Sequence, residues 1–469
     1  MGAHSIVGMR LPPVPAAAGA RGVLPLAAAL SSAVLFHFGT GLHPVAWLTW
    51  VAPLPVLLVA ARVRGRTAFV LGVVAWGGGQ AWLWPYLTGA LKMPAPLVGG
   101  LVAGTALLFG VAVLVYRGLL VRGRAVLAMV ALPAFWVCAE YGMALGAPHG
   151  AWWSLAYTQA DVPPVVQTAS VTGVWGITFL ILLAPAAVAA LPVERVRVIV
   201  IAGAVTALAL GYGSIRLAHS PEPGVPIALI STDTSQRKLD SPEGRELAGR
   251  YAEAVAEAAE RGAELAVLPE KAFEAETVPV AGVGLEVVTG ITLKSGNTAT
   301  NTALAHPSGA RYDKRHLIPG LESDLTPGDR LTFIKGTTLG LIICKDLDFP
   351  GLVRAYRRAG ATALLAPAWD FGDDAWLHSR MAVVRGVENG LSIARTARRG
   401  LLTVSDSRGR ILAEARSGAP GMTTLIARLP REGGPTPYTT LGDWAAWTSA
   451  ALLLLALTGL RRAVRPEKG

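Results

Sequence analysis

The strongest nucleophile among the ordinary side chains is the cysteine thiol, and this chain has two cysteines, Cys138 and Cys344. Cys344 ends the apolar run Leu-Ile-Ile-Cys, which predicts a buried strand with the thiol at its end. A thiol nucleophile needs a base to take its proton, and it needs positive charge to stabilise the thiolate and the oxyanion. Glu270, at the end of Leu-Pro-Glu, can supply the base, and Lys314 can supply the charge.

Other chemistries lack their sequence signals. An inert buried cysteine is common, so Cys344 alone leaves a structural role open. The ordered set of glutamate, lysine and cysteine, each near a predicted strand end, favours catalysis. No Gly-x-Ser-x-Gly, His-Glu-x-x-His or Gly-Lys-Ser/Thr motif is present, and His306, His316 and His378 lack the spacing of metal ligands. We therefore expect no metal and no cofactor.

The composition points to the membrane. The chain has 469 residues, of which 52% are hydrophobic and 16% are charged, whereas soluble proteins average about 25% charged residues. A membrane-spanning helix needs about 20 mostly apolar residues, and eight stretches meet that requirement. They are residues 22–39, 42–61, 67–91, 95–116, 125–145, 166–191, 197–215 and 443–460.

The basic residues predict the orientation of these eight segments. Their clusters alternate along the chain, so all of them fall on one side of the membrane. The positive-inside rule makes that side the cytoplasm, which places both termini there and the stretch between the seventh and eighth segments outside. The net charge of +11 is then explained without a nucleic-acid partner. The clusters are Arg10 and Arg21; Arg62, Arg64 and Arg66; Arg117, Arg122 and Arg124; Arg195 and Arg197; and Arg461, Arg462, Arg465 and Lys468.

The stretch between the seventh and eighth segments has the pattern of an α/β domain. Short apolar runs alternate with amphipathic helical patterns, which is typical of layered sheets and helices. The expected strands are 227–231, 264–268, 285–292, 300–305, 338–343, 361–365, 391–395, 401–404 and 411–415, and the expected helices are 243–261, 351–358 and 375–388. We therefore expect a membrane domain over 1–221, an external domain over 222–437, and a last span with a tail over 438–469.

Two features of the membrane part allow more than one interpretation. Residues 147–166 form a predicted outer loop containing Trp152, Trp153 and Tyr157. This loop is either an aromatic belt at the membrane interface or a floor beneath an external active site. Glu140, near the outer end of the fifth segment, is either functional, as intramembrane acids often are, or paired inside the bundle.

Several motifs together resemble the apolipoprotein N-acyltransferase family, a membrane-bound branch of the nitrilase superfamily of carbon–nitrogen hydrolases. The resemblance covers nearly the whole chain, including the outer loop and the start of the last span. The motifs are Leu-Ala-Val-Leu-Pro-Glu ending at Glu270, Asn301-Thr302-Ala303-Leu304, Tyr312-Asp313-Lys314-Arg315-His316-Leu317, Gly340-Leu341-Ile342-Ile343-Cys344, Trp153-Ser154-Leu155-Ala156-Tyr157-Thr158-Gln159 and Tyr438-Thr439-Thr440-Leu441-Gly442-Asp443-Trp444.

The resemblance implies a fold, a reaction and residue roles. It implies an αββα sandwich on the extracytoplasmic side of a bacterial inner membrane. It also implies that an acyl chain passes from a membrane phospholipid, through a cysteine thioester, to the N-terminal amino group of a diacylglyceryl-cysteine lipoprotein. Glu270 matches the family's base, Lys314 its oxyanion-stabilising lysine and Cys344 its nucleophile. Glu322 matches a glutamate that orients this lysine, and Glu388 matches a helix glutamate that is more often structural.

This chain departs from the family pattern beside the nucleophile. Lys345 and Asp346 replace the usual Tyr-Glu pair, and Leu239 stands where an aromatic residue is usual. We expect Lys345 at the rim of the pocket, where its point charge would meet lipid phosphate; the alternative is that it turns to solvent. The departures keep two other functions open: an amidase that uses water, and an acyltransferase with a different amine acceptor. A non-catalytic sensor on the same scaffold is a third, which the complete trio disfavours.

Overall fold

The computed structural model describes residues 20–461 except 221–222, 277–283, 419–420 and 432. Two residues of the predicted inter-domain junction, Pro221 and Glu222, lie outside the described residues. So do Arg10, Arg462, Arg465 and Lys468, together with the side chains of Arg21 and Arg461, on which part of the orientation prediction rests.

Helices fill the first part of the chain and return at its end. They are α1 (Ala20–Gly39), α2 (Ala46–Thr49), α3 (Leu54–Ala60), α4 (Gly65–Gly79), α5 (Leu83–Pro85), α6 (Ala95–Leu120), α7 (Ala125–Gly146), α8 (Pro163–Val166), α9 (Ala169–Thr172), α10 (Val174–Ala190), α11 (Arg195–Leu217), α12 (Pro242–Glu260), α13 (Pro350–Arg358), α14 (Ala375–Asn389), α15 (Pro437–Leu441) and α16 (Trp444–Arg461). Helices α12, α13 and α14 belong to the external part predicted from the sequence.

The apolar helices pack into one bundle. Its core combines small and large side chains from α1, α3, α4, α6, α7, α10 and α16, with Trp76, Phe109 and Trp136 in mutual ring contact. Among the described residues, α6, α7 and α11 are long and apolar enough to cross a membrane. Helix α11 leaves most of its apolar surface uncovered, including Val196 and Leu208, which are both 73% exposed. Such a surface fits contact with lipid.

Every predicted apolar segment contains helix, but three segments are interrupted. The second segment breaks into α2 and α3 at Pro53 and Pro55, because proline cannot donate a backbone hydrogen bond inside a helix. The third continues past α4 only as short helical turns up to Ala90. The sixth starts as a continuous helix only at Val174, after Gly173 with φ +65°; the prediction placed its start at residue 166.

Fourteen strands follow within the described residues and form two sheets. They are β1 (Val225–Ser231), β2 (Arg237–Lys238), β3 (Leu265–Val267), β4 (Phe273–Ala275), β5 (Glu286–Ser295), β6 (Thr298–His306), β7 (Arg311–Asp313), β8 (Thr332–Phe333), β9 (Leu339–Leu341), β10 (Ala363–Trp369), β11 (Ser392–Arg398), β12 (Leu401–Ser405), β13 (Ile411–Arg416) and β14 (Thr423–Leu429). The first sheet has the order β14-β1-β3-β5-β4-β2 with β6 and β7 attached through β5, and the second has the order β13-β12-β11-β10-β9-β8.

The two sheets pack face to face between helices. Ile227 and Leu265 of the first sheet meet Leu364 and Ile393 of the second in one buried apolar core. Helix α12 covers the outer face of the first sheet, and α14 packs on β11 and β12 of the second. This arrangement confirms the predicted αββα sandwich. Strand β14, which pairs antiparallel with β1 along its whole length, was not among the predicted strands.

The outer loop is anchored to the bundle by Glu140. This buried carboxylate accepts hydrogen bonds from the indole of Trp136 at 3.0 Å, the hydroxyl groups of Ser154 and Thr178 at 2.9 Å each, and the backbone N–H of Leu155 at 2.8 Å. The contacts join α7, α10 and the loop. Glu140 therefore has the paired role that the sequence left open, and it holds the loop against the bundle.

We predict that Glu140→Ala lowers the free energy of unfolding by about 3 kcal/mol or more, because each buried donor left without an acceptor costs about 1–3 kcal/mol. Thermal unfolding in detergent micelles measures the change. The control is Glu253→Ala on the exposed face of α12, which should shift the melting temperature little. Equal shifts for the two variants would contradict the anchoring role.

Candidate active site

Glu270 lies where the chain leaves the first sheet between two strands. Strands β3 and β4 both pair with β5, β3 with its first half and β4 with its second. The segment between them passes Gly290 of β5, where a Cβ atom would lie 2.4 Å from the carbonyl oxygen of Pro269 and 2.6 Å from the Cα of Glu270. Only glycine leaves room for this approach, so Gly290 helps to fix the position of the Glu270 side chain.

Lys314 follows the short strand β7 and is completely buried. Its Nζ lies 2.8 Å from Oε1 of Glu270 and 3.0 Å from Oε2 of Glu322. Burial opposes the charged form of lysine, but the two glutamates outweigh it and raise the pKa of Lys314 well above its ordinary value. The ammonium is therefore held protonated between two carboxylates.

Glu322 has a second cation on its other oxygen. Lys271 Nζ lies 2.6 Å from Oε1, and the backbone N–H of Ile318 donates to Oε2 at 2.9 Å. Although burial acts in the opposite direction, Lys314 and Lys271 lower the pKa of Glu322 to about 2. Glu322 thus stays ionised and ties the 318–322 loop to the lysine.

Asn301 of β6 links the two glutamates directly. Its side-chain N–H groups donate to Oε1 of Glu270 at 2.5 Å and to Oε1 of Glu322 at 2.8 Å. Its backbone carbonyl accepts from the N–H of Lys314 at 2.8 Å. The sequence motif around Asn301 contributed to the family resemblance, but its bridging position required the fold.

Cys344 begins a short helical turn directly after the extended residues that follow β9. Its φ of +43° lies in the left-handed region, which is rare for a residue with a side chain and is common where function constrains the backbone. The thiol donates to the carbonyl of Trp369 at 3.7 Å. Burial, with the charge of Glu270 second, raises the pKa of Cys344 well above that of a free thiol. The raised pKa favours the neutral thiol, so a nucleophilic role for Cys344 would require a base.

A cavity of about 590 Å³ opens beside this thiol and is shared by both parts of the protein. Cys344 and Trp369 line it from the sandwich, while Leu87, Leu97 and Trp152 line it from the membrane part. The outer loop therefore forms part of the cavity wall, as one of its two interpretations expected. Gly150, with φ +53°, lets the loop approach the nucleophile turn, where Ala151 N–H donates to the Asp348 carbonyl at 2.8 Å.

The two residues after the nucleophile have different surroundings. Asp346 accepts from the hydroxyl of Tyr312 at 2.7 Å and from the backbone N–H of His316 at 2.9 Å, so it positions the segment on both sides of Lys314. Lys345 lines the cavity and is 6% exposed. It does not turn to solvent. Leu239, the other departure, packs near α12 on the far face of the first sheet.

Glu388 does not face the cavity. Its Oε2 lies 2.6 Å from Nη1 of Arg385, and its Oε1 accepts from the backbone N–H of Val174 at the start of α10. Arg385 also donates to the hydroxyl of Tyr157 in the outer loop at 2.8 Å. Glu388 thus joins the sandwich to the membrane bundle, in agreement with the structural role implied for it.

A buried polar network on the opposite cavity wall was missed by sequence reasoning. Arg395 donates to Asp370 at 2.9 Å, and His378 Nδ1 lies 3.3 Å from Asp370 and 3.4 Å from Asp374. Tyr86, from the third apolar segment, donates to Asp374 at 2.6 Å. The one sequence feature that could have indicated this network is Trp369-Asp370 at the end of an apolar run. The spacing of the histidines did not indicate it.

The fold and site together define a nitrilase-superfamily enzyme joined to a membrane helical bundle. Residues 274–434 match the carbon–nitrogen hydrolase family model, and residues 32–187 match the model of the apolipoprotein N-acyltransferase N-terminal domain. An apolipoprotein N-acyltransferase of Geobacter metallireducens is 30% identical over 511 residues, covering 91% of this chain and 93% of its own. The chain belongs to the apolipoprotein N-acyltransferase family.

Other relatives share this length or part of the fold. An apolipoprotein N-acyltransferase of Bradyrhizobium diazoefficiens is 28% identical over 528 residues, with 94% of each chain covered. Among solved structures, an amidase from Nesterenkonia sp. has a TM-score of 0.37 and 22% identity, covering 45% of this chain and 92% of the amidase.

We predict that Gly290→Ala slows acylation of Cys344 by a p-nitrophenyl ester by about 10²-fold, since displacing a catalytic group by about 1 Å costs that much. The added methyl group must push Pro269 and Glu270 away from β5. Gly249→Ala, at an open position on α12, is the control and should react at the wild-type rate. Wild-type kinetics for Gly290→Ala would show that the close approach does not fix Glu270.

Proposed function

We propose that this protein transfers an acyl chain from a membrane phospholipid to the N-terminal amino group of a diacylglyceryl-cysteine lipoprotein. The observation that carries the proposal is the shared cavity, which Cys344 lines together with Leu87 and Leu97 of the membrane part. An apolar wall supplied by the membrane part is unnecessary for small soluble substrates. A lipid ester and a lipidated amine both carry apolar chains, which such a wall would bind.

The first half-reaction makes a thioester. Glu270 takes the Cys344 proton as sulfur attacks the ester carbonyl, the S–C bond forms, and the C–O bond to the lysophospholipid breaks. The proton then passes from Glu270 to the departing alkoxide. Glu270 is a suitable base because Lys314 and Asn301 both hold its Oε1 in place, and its charge acts on the Cys344 thiol.

The second half-reaction passes the acyl group to the amine. The α-amino nitrogen attacks the thioester carbonyl, Glu270 takes its proton, the N–C bond forms and the C–S bond breaks. Glu270 then returns the proton to the Cys344 sulfur. Lys314, held by Glu322 at 3.0 Å, stabilises the oxyanion in both steps, and one such donor is typically worth about 10²–10³ in rate.

We further propose the membrane arrangement expected from the basic residues. Eight spans would bring the sandwich to the outer side, between the seventh span, α11, and the eighth, α16, with both termini in the cytoplasm of a bacterial inner membrane. Helix in each predicted segment and the exposed apolar surface of α11 support this arrangement. The domain boundaries at 221 and 437 follow from it.

We predict an acyl-enzyme when the full-length protein is given phospholipid without acceptor. Its intact mass should increase by one acyl chain, the modification should map to Cys344, and neutral hydroxylamine should remove it. Cys344→Ala should abolish the adduct, while Cys138→Ala, which changes the bundle cysteine, should retain it. Addition of a diacylated lipopeptide should then yield N-acylated product, and release of free fatty acid instead would identify an amidase-like hydrolase.

We predict that a cysteine tag at Gly224 reacts with membrane-impermeant reagents in intact cells, because the sandwich would lie outside. A tag after Lys468 should react only after the membrane is opened. These experiments use a Cys344→Ala, Cys138→Ala background so that only the tag is labelled. Equal labelling at both positions in intact cells would contradict the eight-span arrangement.

A further inference from the structure

Lys345 is a buried cation that lacks an anionic partner. It is 6% exposed, and its Nζ contacts His149 Nδ1 at 3.3 Å and the backbone carbonyl of Leu317 at 3.4 Å. Throughout the described part of the chain, no carboxylate oxygen lies within 4.0 Å of this ammonium. One of its three N–H groups therefore has no acceptor from the protein.

The surroundings make this arrangement costly while the cavity is empty. A buried charge without a paired, hydrogen-bonded partner is disfavoured, and burial accordingly lowers the pKa of Lys345. Burial, with the charge of Lys345 second, also lowers the pKa of His149 to about 4. His149 is thus neutral near pH 7, and its Nδ1 can accept from the lysine.

The nearby carboxylates do not satisfy Lys345. Glu322 is already paired with Lys314 and Lys271. Asp348 lines the same cavity and its charge acts on Lys345, but the described residues include no ion pair or hydrogen bond between the two side chains. The unmet charge therefore faces the cavity that contains the nucleophile, and an anion entering that cavity would satisfy it.

We propose that Lys345, supported by His149, forms a subsite for the phosphodiester group of the acyl donor. This inference rests on the proposed function, in which the donor is a phospholipid. Lys345 and Cys344 are neighbours in the chain and line the same cavity, so one phospholipid in that cavity could place its phosphate on the ammonium and its ester at the thiol. The apolar wall formed by Leu87, Leu97 and Trp152 would take the acyl chains.

The test compares two donors with identical acyl chains, phosphatidylglycerol and diacylglycerol, in the same detergent micelles. We measure the rate of Cys344 acylation with each donor and take the ratio of the two rates. Lys345→Met should lower this ratio about 10- to 100-fold, the usual effect of losing a hydrogen bond to a charged group. Lys345→Arg should retain most of the ratio because it keeps the charge.

Two further variants and one addition sharpen the result. Lys335→Met, at an exposed position, is the matched control and should leave the ratio unchanged. Lys345→Tyr, a second neutral variant, should lower the ratio as Lys345→Met does, and it provides the test if Lys345→Met does not fold. A third set of measurements adds inorganic phosphate. If the site is specific for the free ion, phosphate will occupy it and abolish the difference between the two donors. That result would overturn the assignment to the donor.

A binding measurement separates this inference from the proposed function. A diether analogue of phosphatidylglycerol should bind to the Cys344→Ala protein about 10- to 100-fold more tightly than to the Cys344→Ala, Lys345→Met double variant. Failure of the wild-type enzyme to N-acylate a lipopeptide would reject the proposed function alone. Equal binding by both proteins, or an unchanged donor ratio in Lys345→Met, would reject the phosphate subsite alone.

Discussion

The site depends on keeping one ammonium group ionised where water cannot reach it. Lys314 is completely buried, and it stays charged because Glu270 and Glu322 lie within 3.0 Å of its Nζ. Isolated, each of these charges would be costly to bury. Together, with Lys271 and Asn301 bound to Oε1 of Glu322, they form a group in which removal of one charge leaves another charge unpaired.

The fold supplies that group from separate strands. Glu270 comes from the break between β3 and β4, Asn301 from β6, and Lys314 from the residue after β7, so the first sheet provides all three. Cys344 comes from the second sheet. Packing of the two sheets through one apolar core therefore brings together the proposed base and the proposed nucleophile, and the outer loop held by Glu140 closes the cavity from the membrane side.

Local signals in the sequence predicted an α/β domain and the trio, while the αββα sandwich was implied by the family resemblance. Apolar runs marked most strands, and Glu270 and Cys344 each follow one, whereas β7, the strand before Lys314, was not predicted. Strand β14 completes the first sheet by pairing with β1, but it was not predicted. Its residues do not alternate between buried and exposed positions, so the sequence lacks the usual pattern of a strand. The interruption of the third apolar segment and the Tyr86–Asp374 contact were also unpredictable, because a hydrophobic run does not reveal where a helix unwinds to meet another domain.

We propose that Glu270 removes a proton from the Cys344 thiol, whose pKa is raised by burial and by the carboxylate. The most direct measurement is the single-turnover rate of Cys344 acylation between pH 6 and pH 9, for the wild type and Glu270→Gln. We expect the variant to be slower by about 10²–10⁴-fold near neutral pH, and its rate to rise with pH as free thiolate forms. Equal rates in both proteins across this range would contradict the account.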